Sequence, residues 1–324
     1  MLLEVKNLRT EFSTKKGSVK AVNDITFELN KGEILAIVGE SGSGKSVTSL
    51  SIMGLVRSPG KIVEGKIVFK GEDLIKKSKS ELQKIRGNQL SMIFQEPMTS
   101  LNPVKKIKTQ LLESIRIHMN FSKDDSIKRA IEILNLVGIP SPEKRMNDYP
   151  HQMSGGMRQR VMIAMALSCH PEILIADEPT TALDVTIQAQ ILDLLHDLQK
   201  KLGMAVLLIT HDLGVVAETA DRVIVMYCGK IVEQACVKDL FQKPKHPYTI
   251  GLFESIPKIN EDRDRLYMIK GMVPDPTRMP KGCSFSDRCE HCMEKCKISM
   301  PALINIENQR VRCFLYGDDV EEEK

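Results

Sequence analysis

The chain opens with two stretches in which apolar and polar residues alternate, at residues 2–10 and 21–29. Alternation with a period of two residues is typical of strands that bury one face. Shorter, largely apolar runs predict further strands that are buried on both faces. These runs lie at residues 34–38, 172–176, 204–209 and 222–226.

A helical pattern replaces the alternation between residues 99 and 136 and ends at Pro140-Ser141-Pro142. Apolar residues recur there at spacings of three and four, and residues 161–167 and 187–198 predict two more helices. Strands that alternate with helices indicate an α/β fold. Ligands of such sheets bind beyond the carboxyl ends of the strands, so the strand ends are the expected place for a site.

The pattern changes again beyond about residue 236. Prolines in residues 243–247 and 274–276 predict loops rather than long elements. The acidic residues 318–324 are expected to stay disordered because they offer almost no apolar surface to bury. Five of the eight cysteines fall between Cys283 and Cys313.

Composition excludes several classes of protein. The net charge of +4 over 324 residues, with no basic stretch rich in aromatic residues, gives no support for nucleic-acid binding. No apolar run approaches the roughly 18 to 20 residues needed to span a bilayer. The first residues also lack the pattern of a signal peptide. We therefore expect a cytosolic chain whose cysteines are reduced thiols rather than disulfides.

The run at residues 34–38 leads directly into a phosphate-binding loop of the pattern G-x-x-x-x-G-K-[ST]. Its glycines let backbone N–H groups point at nucleotide phosphates, and the N-terminus of the helix that begins near Val47 adds positive charge. Lys45 is expected to reach the β- and γ-phosphates, and the Ser46 hydroxyl to bind Mg²⁺. The loop comprises Gly39, Glu40, Ser41, Gly42, Ser43, Gly44, Lys45 and Ser46.

A second apolar run ends in two carboxylates, Asp177 and Glu178. Acids at the tip of a buried strand are costly unless a cation or hydrogen-bond donors satisfy them. Beside a phosphate loop, Asp177 is expected to hold Mg²⁺ and Glu178 to polarise the attacking water as general base.

Taken in order, these and further motifs resemble the ATP-binding cassette (ABC) ATPases of transporters over roughly residues 1–235. The phosphate loop is followed by Gln95 in Phe94-Gln95-Glu96-Pro97, by Ser154-Gly155-Gly156, by the strand ending at Asp177-Glu178, by Ala182-Leu183-Asp184 and by His211. The resemblance implies a P-loop NTPase core of the ABC type with an antiparallel β subdomain and a helical subdomain at about residues 96–165. A loop-rich, cysteine-containing extension would occupy residues 236–324.

The resemblance also implies a role for each motif. Two ATPase subunits would pair head to tail around two ATP molecules, with Ser154, Gly155 and Gly156 contacting the nucleotide of the partner. Gln95 would join Ser46 and Asp177 around Mg²⁺, and His211 would contact the γ-phosphate and help hold the attacking water. Asp184 would act across the dimer interface, and Phe12 would stack on the adenine. One departure is Met157, where the family usually has glutamine, so any hydrogen bond of that glutamine is lost.

Two segments are similar to a narrower group, the ATPases of oligopeptide/dipeptide permeases and their nickel-importing relatives. They are residues 95–103 and the extension, with His246-Pro247-Tyr248-Thr249, Gly282-Cys283 and Arg288-Cys289. This similarity implies a bacterial importer with two integral-membrane permease subunits, an extracytoplasmic solute-binding protein and a second ATPase subunit. The chain would lie on the cytoplasmic face of the cell (inner) membrane, bind no nucleic acid and hydrolyse ATP to power peptide import.

Alternatives remain open at this point. The same machinery serves nickel or another small solute if the permeases select it. A soluble ABC ATPase acting on DNA or ribosomes usually carries a long coiled-coil insertion or two cassettes, and neither is present. A third possibility is a regulatory subunit whose cysteine segment senses redox state or metal.

The clustered cysteines suggest a metal centre that cross-links a segment poor in apolar residues. Sulfur ligands, with only His291 besides, favour zinc or an iron–sulfur cluster, although the spacing matches neither zinc ribbons nor ferredoxins. The permease resemblance assigns the ligands to Cys283, Cys289, Cys296 and Cys313 and leaves Cys292 over. A [4Fe–4S] cluster, zinc and free thiols are the three possibilities. The separate Cys169, Cys228 and Cys236 are predicted to be small core residues.

Overall fold

The computed structural model describes residues 1–95, 100–180, 184–255 and 267–321. Parts of three sequence motifs lie outside these residues, namely positions 96–99 after Gln95, Ala182 and Leu183 before Asp184, and the last three residues of the acidic tail. In the described part of the chain, no helix is both long and apolar enough to cross a membrane.

The strands and helices follow the predicted order. The strands are β1 (Leu3–Thr14), β2 (Gly17–Leu29), β3 (Ile34–Val38), β4 (Gly60–Phe69), β5 (Glu72–Asp73), β6 (Leu90–Ile93), β7 (Ile173–Asp177), β8 (Ala205–Ile209), β9 (Arg222–Tyr227), β10 (Lys230–Cys236), β11 (Ile304–Ile306) and β12 (Gln309–Val311). The helices are α1 (Lys45–Ile52), α2 (Lys79–Ile85), α3 (Ile107–His118), α4 (Lys123–Leu136), α5 (Pro142–Arg145), α6 (Gly155–Leu167), α7 (Val185–Leu202), α8 (Leu213–Thr219), α9 (Val237–Gln242), α10 (Pro247–Glu254) and α11 (Glu294–Ile298). Short 3₁₀ helices occur at Leu74–Lys76, Pro150–Gln152 and Ser286–Arg288.

The chain forms two compact units. The first comprises residues 1–3, 29–34 and 69–209. Its strands β6, β7 and β8 are parallel, with Ile173 opposite Leu90 on one side and Ala205 on the other. All three strands are buried along their length, as their apolar sequences predicted.

The same unit contains the helices that pack on one another as α3, α4 and α6. The periodic stretch up to residue 136 is divided into two helices because Ser122 caps a new one, accepting a hydrogen bond from the Asp125 N–H at 3.1 Å. Pro142 at the first position of α5 confirms the predicted interruption of the pattern.

The second unit comprises residues 4–28, 35–68 and 210–324. Here β3 pairs in parallel with β9, and β9 pairs antiparallel with β10. Strands β1 and β2 are joined by only two residues, a connection that requires an antiparallel pair. A core of buried side chains joins β3, β9 and β10 to the extension through Tyr248 and Phe285.

The extension is more regular than the sequence suggested. Its hairpin of β11 and β12 continues the sheet, with Val311 opposite Glu233 of β10. The expectation that this segment cannot bury a core of its own holds only for the segment in isolation, because Tyr248 and Phe285 pack against Tyr227 of β9. Its apolar residues therefore complete a core that the strands begin.

The acidic tail is ordered as far as it is described, which corrects the expectation of disorder for residues 318–321. Val320 forms a β-bridge with Pro301. The Glu321 carboxylate lies 2.7 Å from the Lys230 ammonium and 3.1 Å from the Arg312 guanidinium. Those two cations are almost fully buried, so a nearby carboxylate offsets their cost of desolvation.

Candidate functional site

The phosphate loop connects β3 to α1 in the predicted way. Gly39 has φ +151°, and a Cβ built there would lie 2.2 Å from the Met226 carbonyl oxygen of β9. A side chain at this position would collide with backbone that cannot move away. The first glycine of the motif is therefore required by the tight passage of the loop over β9.

Lys45 is buried at the start of α1 and is held by the loop itself. Its ammonium donates to the Gly39 carbonyl at 2.6 Å, to the Glu40 carbonyl at 3.0 Å and to Ser43 Oγ at 3.5 Å. Gly44 occupies the N-cap of α1 and has no side chain with which to accept from the first helical N–H groups. The N-terminus of a helix carries partial positive charge, which favours an anion at this position.

The two acids lie at the end of β7 in different environments. Asp177 is the last residue of the strand and is buried. Glu178 follows with φ +46°, a left-handed conformation that is strained for a residue with a side chain. Its N–H donates to the Ile209 carbonyl at 2.8 Å. The change from strand to left-handed backbone thus falls between the two acids.

The structure brings Gln95 and Glu178 together across 83 positions of sequence. The Gln95 side-chain amide donates to Glu178 Oε2 at 3.0 Å. A carboxylate oriented by an amide is a suitable general base, because its position is fixed before a water molecule arrives. This contact is not evident from the two motifs taken separately.

The Ser154-Gly155-Gly156 segment forms the beginning of α6. Ser154 is the exposed N-cap, and its Oγ accepts from the Met157 N–H at 3.3 Å. The serine hydroxyl and the first turn of the helix are accessible at the surface, so a ligand presented from outside can reach them.

The remaining predicted residues occupy defined places. His211 is exposed and directly precedes Asp212, the N-cap of α8. Phe12 is half-buried in β1 with its ring against Gly60, where a Cβ would lie 2.5 Å from the ring. Asp184 is the N-cap of α7 and accepts from the Ile187 N–H at 3.0 Å.

Glu40 belongs to the phosphate loop and also contacts two residues of the extension. Its carboxylate forms a two-pronged ion pair with Arg288 of the extension, at 2.7 and 3.1 Å. Its N–H donates to the hydroxyl of Tyr248, also in the extension, at 2.8 Å. Sequence reasoning missed these two residues as parts of the site. Their only signal was that they belong to the His-Pro-Tyr-Thr and Arg-Cys segments of the extension.

The four cysteines that the resemblance singled out line one small pocket, with His291 beside them. The pocket has a volume of about 20 Å³. The Cys283 N–H donates to the Cys296 carbonyl at 2.7 Å, and a Cβ at Gly282 would lie 2.2 Å from that carbonyl oxygen. The glycine before Cys283 is thus what allows the two cysteine segments to approach. Cys289 and Cys313 are the remaining two of the four cysteines, and the Phe285 ring also lines the pocket.

All eight cysteines are free thiols. Among the described residues, no three or more histidine, cysteine or carboxylate groups are placed to hold a metal ion. The chemistry of the four thiols that share the pocket nevertheless fits a soft metal centre. Burial raises the pKa of Cys283 to about 12 and that of Cys313 to about 11, so both are protonated at neutral pH.

The other cysteines lie outside this pocket. Cys292 donates to the Met293 carbonyl at 3.6 Å and does not line it. Cys169 is buried as predicted, whereas Cys228 is half-buried and Cys236 is exposed. The prediction of a core position was therefore wrong for Cys236, which lies at the end of the sheet, where it is paired with Arg222 and directly precedes α9.

Two known families match this chain. Residues 22–181 match the family described as ABC transporter. Residues 232–296 match the oligopeptide/dipeptide transporter C-terminal region. The first match contains the phosphate loop and the acid pair, and the second contains three of the four pocket cysteines.

Curated relatives match over almost the whole length. The chain is 57% identical over 320 residues to the oligopeptide transport ATP-binding protein AppD of Bacillus subtilis. This match covers 98% of each protein. It is 50% identical over 318 residues to the oligopeptide transport ATP-binding protein OppD of Haemophilus influenzae, again 98% of each. The dipeptide transport ATP-binding protein DppD of the same organism is 50% identical over 312 residues, 96% of this chain and 94% of that protein.

Solved structures match about three quarters of the chain. The dimeric post-hydrolysis state of the ATP-binding cassette MJ0796, bound to ADP and Pi, gives a TM-score of 0.66 at 28% identity, over 73% of this chain and 99% of that chain. The structure of cbiO1 from Clostridium perfringens, part of the ABC transporter complex cbiONQ, gives a TM-score of 0.63 at 29% identity, over 75% and 91%. Both confirm the predicted α/β nucleotide-binding fold.

Proposed function

Because this chain belongs to the ABC transporter family and carries the C-terminal region of its oligopeptide/dipeptide transporters, we propose that it is the ATP-hydrolysing subunit that powers import of dipeptides and oligopeptides. The ATPase function is supported by the phosphate loop with its buried Lys45 and by the Gln95–Glu178 pair. Peptide as the transported solute is supported by the 57% identity to AppD over 98% of the chain.

The proposed role of each residue comes from its motif. The N–H groups of the loop and of the first turn of α1 would hold the phosphates, and Lys45 would leave its carbonyl partners to meet them. Ser46, Asp177 and Gln95 would hold Mg²⁺, which supplies positive charge that neutralises the phosphate oxygens. Glu178, oriented by Gln95, would accept the proton of the attacking water, and His211 would contact the γ-phosphate. Phe12 would stack on the adenine.

The Ser154-Gly155-Gly156 segment is proposed to contact the nucleotide of a second ATPase subunit. Ser154, Gly155 and Gly156 are accessible at the start of α6, so a nucleotide carried by a partner can meet them. The two ATPases would act with two integral-membrane permease subunits at the cytoplasmic face of the membrane. An extracytoplasmic solute-binding protein would deliver the peptide.

The general-base role is tested with Glu178→Gln. The amide cannot take a proton, so we expect turnover to fall about a thousandfold while ATP binding is retained and a closed dimer accumulates. The matched control is Glu172→Gln, which removes a carboxylate from the beginning of the same strand segment, where it pairs with Lys70 at the surface. ATP hydrolysis and gel filtration with ATP measure both effects. Normal turnover in Glu178→Gln would refute the role.

The cargo is tested by uptake in cells that lack the native copy of this chain. We expect the wild-type chain, but not Lys45→Ala, to restore uptake of a labelled tripeptide. Restored uptake of radioactive nickel without peptide uptake would contradict the peptide proposal and leave the ATPase function intact.

We also propose that the cysteine pocket holds a structural metal centre through Cys283, Cys289, Cys296 and Cys313. Four thiols converge on one pocket, and a soft metal would allow them to ionise where burial otherwise opposes it. Metal analysis of anaerobically purified protein tests this. About four iron and four acid-labile sulfide per chain, with broad visible absorption, would support a [4Fe–4S] cluster. Stoichiometric zinc would support a zinc site. Protein that contains neither iron nor zinc would contradict the proposal.

A further inference from the structure

The ion pair between Glu40 and Arg288 is unusually well defined. Both guanidinium N–H groups face both carboxylate oxygens, at 2.7 and 3.1 Å. The Arg288 side chain is only 5% exposed, and its Nε donates to the Lys270 carbonyl at 3.2 Å. A two-pronged pair with a buried arginine differs from ordinary surface ion pairs, which contribute little.

The surroundings of Arg288 fix its direction. Its Nη1 also reaches the Tyr227 hydroxyl at 3.3 Å, and the guanidinium lies 5.8 Å from the ring centres of Tyr227 and Phe285. Tyr248 packs against both rings, at 4.6 and 5.5 Å between centroids, and is fully buried. Arg288 and Tyr248 are therefore packed into the core that the extension shares with β9.

Both residues act on the same position of the phosphate loop. Arg288 holds the Glu40 side chain, while the Tyr248 hydroxyl accepts the Glu40 N–H at 2.8 Å. The third polar group of Glu40, its carbonyl, accepts from Lys45. One residue thus connects the extension to the lysine that is proposed to meet the phosphates.

We propose that Arg288 and Tyr248 are positioning residues of the nucleotide site, which hold the phosphate loop in its binding conformation through Glu40. This inference rests on the proposed role of the loop in ATP binding. The extension then contributes to nucleotide affinity although none of its described residues belongs to the phosphate-loop motif. Loss of the contact leaves the loop free to adopt other conformations, and the cost of ordering it is then paid out of the binding free energy.

A purely structural role for Arg288 predicts a different result. If the ion pair only attached the extension to the rest of its unit, its removal would lower the melting temperature. The ATP affinity of the folded protein would then stay unchanged. The decisive readouts are therefore the Kd for ATP and the separation of KM from kcat, measured beside thermal stability.

The experiment uses the full-length chain and ATP itself. We expect Arg288→Gln to raise Kd and KM for ATP about tenfold, while kcat at saturating ATP changes less than about twofold. Arg288→Lys should lie between, because a single ammonium cannot bridge both carboxylate oxygens. The matched control is Lys297→Gln, which removes the same charge from the exposed ion pair with Glu294 in the extension and should leave Kd and KM unchanged.

Two further variants keep the test decisive if Arg288→Gln is unstable. Tyr248→Phe keeps the buried ring and removes only the acceptor of the Glu40 N–H, so KM should rise about threefold. The double variant Glu40→Arg/Arg288→Glu restores an opposite-charge pair. It should bind ATP at least about threefold more tightly than Arg288→Glu alone. Wild-type Kd in both Arg288→Gln and Tyr248→Phe would overturn the inference. Wild-type binding by Lys45→Ala would instead overturn the proposed function of the loop, so the two failures are distinguishable.

Discussion

The phosphate loop and the cysteine pocket lie in the same unit but are built in opposite ways. The loop takes its binding groups from consecutive residues, and most of those groups are backbone N–H donors whose direction the local chain path sets. The pocket collects side chains from Cys283 to Cys313 and depends on a hairpin, a 3₁₀ helix and a shared aromatic core to bring them together. A contiguous backbone site is specified by local conformation, whereas a side-chain site from separate segments depends on packing.

The strongest test of this contrast is Gly39→Ala. A methyl group there meets the Met226 carbonyl at 2.2 Å, so the loop must move and the N–H cradle with it. We expect ATP affinity to fall about a hundredfold or more, because a small misplacement of a preorganised site is costly. Isothermal titration with ATP measures the loss.

Gly71→Ala serves as the matched control for Gly39→Ala. Gly71 also has a positive φ, +86°, but a Cβ there meets nothing within 4 Å. This substitution should cost about 1 kcal/mol of stability from backbone strain and leave ATP affinity unchanged. Equal affinity of the two variants would contradict a steric requirement at Gly39.

The next test concerns the pocket and uses Cys283→Ser. The hydroxyl is a poorer soft-metal ligand and is left buried, so metal content should fall and the free energy of unfolding should decrease by about 2 kcal/mol or more. The exposed Cys236→Ser is the control and should change stability by less than about 0.5 kcal/mol. ATP affinity should respond less than in Gly39→Ala. A larger loss of affinity in Cys283→Ser would reverse the contrast between the two sites.

The smallest expected effect is a pH dependence that originates beside the pocket. His246 is buried, its Nδ1 accepts from the Tyr248 N–H at 3.0 Å, and Glu233 accepts the N–H groups of Lys245 and His246. Burial, with a smaller effect from Arg312, lowers the pKa of His246 to about 3. Between that value and its ordinary value near 6.5, the unfolded chain binds a proton that the folded chain does not.

His246 therefore destabilises the fold as the pH falls below about 6.5, and its contribution between pH 7 and pH 5 is about 2 kcal/mol. His246→Asn keeps a capping acceptor for α10 and removes this titration, so its unfolding free energy should fall less over that interval. The exposed His151→Asn should follow the wild type. Urea unfolding at the two pH values measures the difference, and identical pH dependence in all three proteins would be evidence against a neutral His246.

The sequence by itself determined the elements that local conformation and apolar pattern control. The strand before Gly39, the loop, the helix after it and the acids at the end of β7 were all predicted, because backbone geometry and periodicity act over a few residues. The ordered tail, the sheet-extending hairpin and the exposure of Cys236 were not predicted. Each of these depends on partners remote in sequence, as Glu321 depends on Lys230 and Arg312.

Only the tertiary structure decided which separate motifs cooperate. It placed the Gln95 amide on Glu178, gathered the four thiols into one pocket and set Arg288 and Tyr248 on Glu40. The physical reason is that a hydrogen bond or ion pair between side chains is set by the packing of whole elements, which no local pattern encodes. The backbone cradle for phosphate needs only its own eight residues, whereas the contacts that hold it in place come from across the fold.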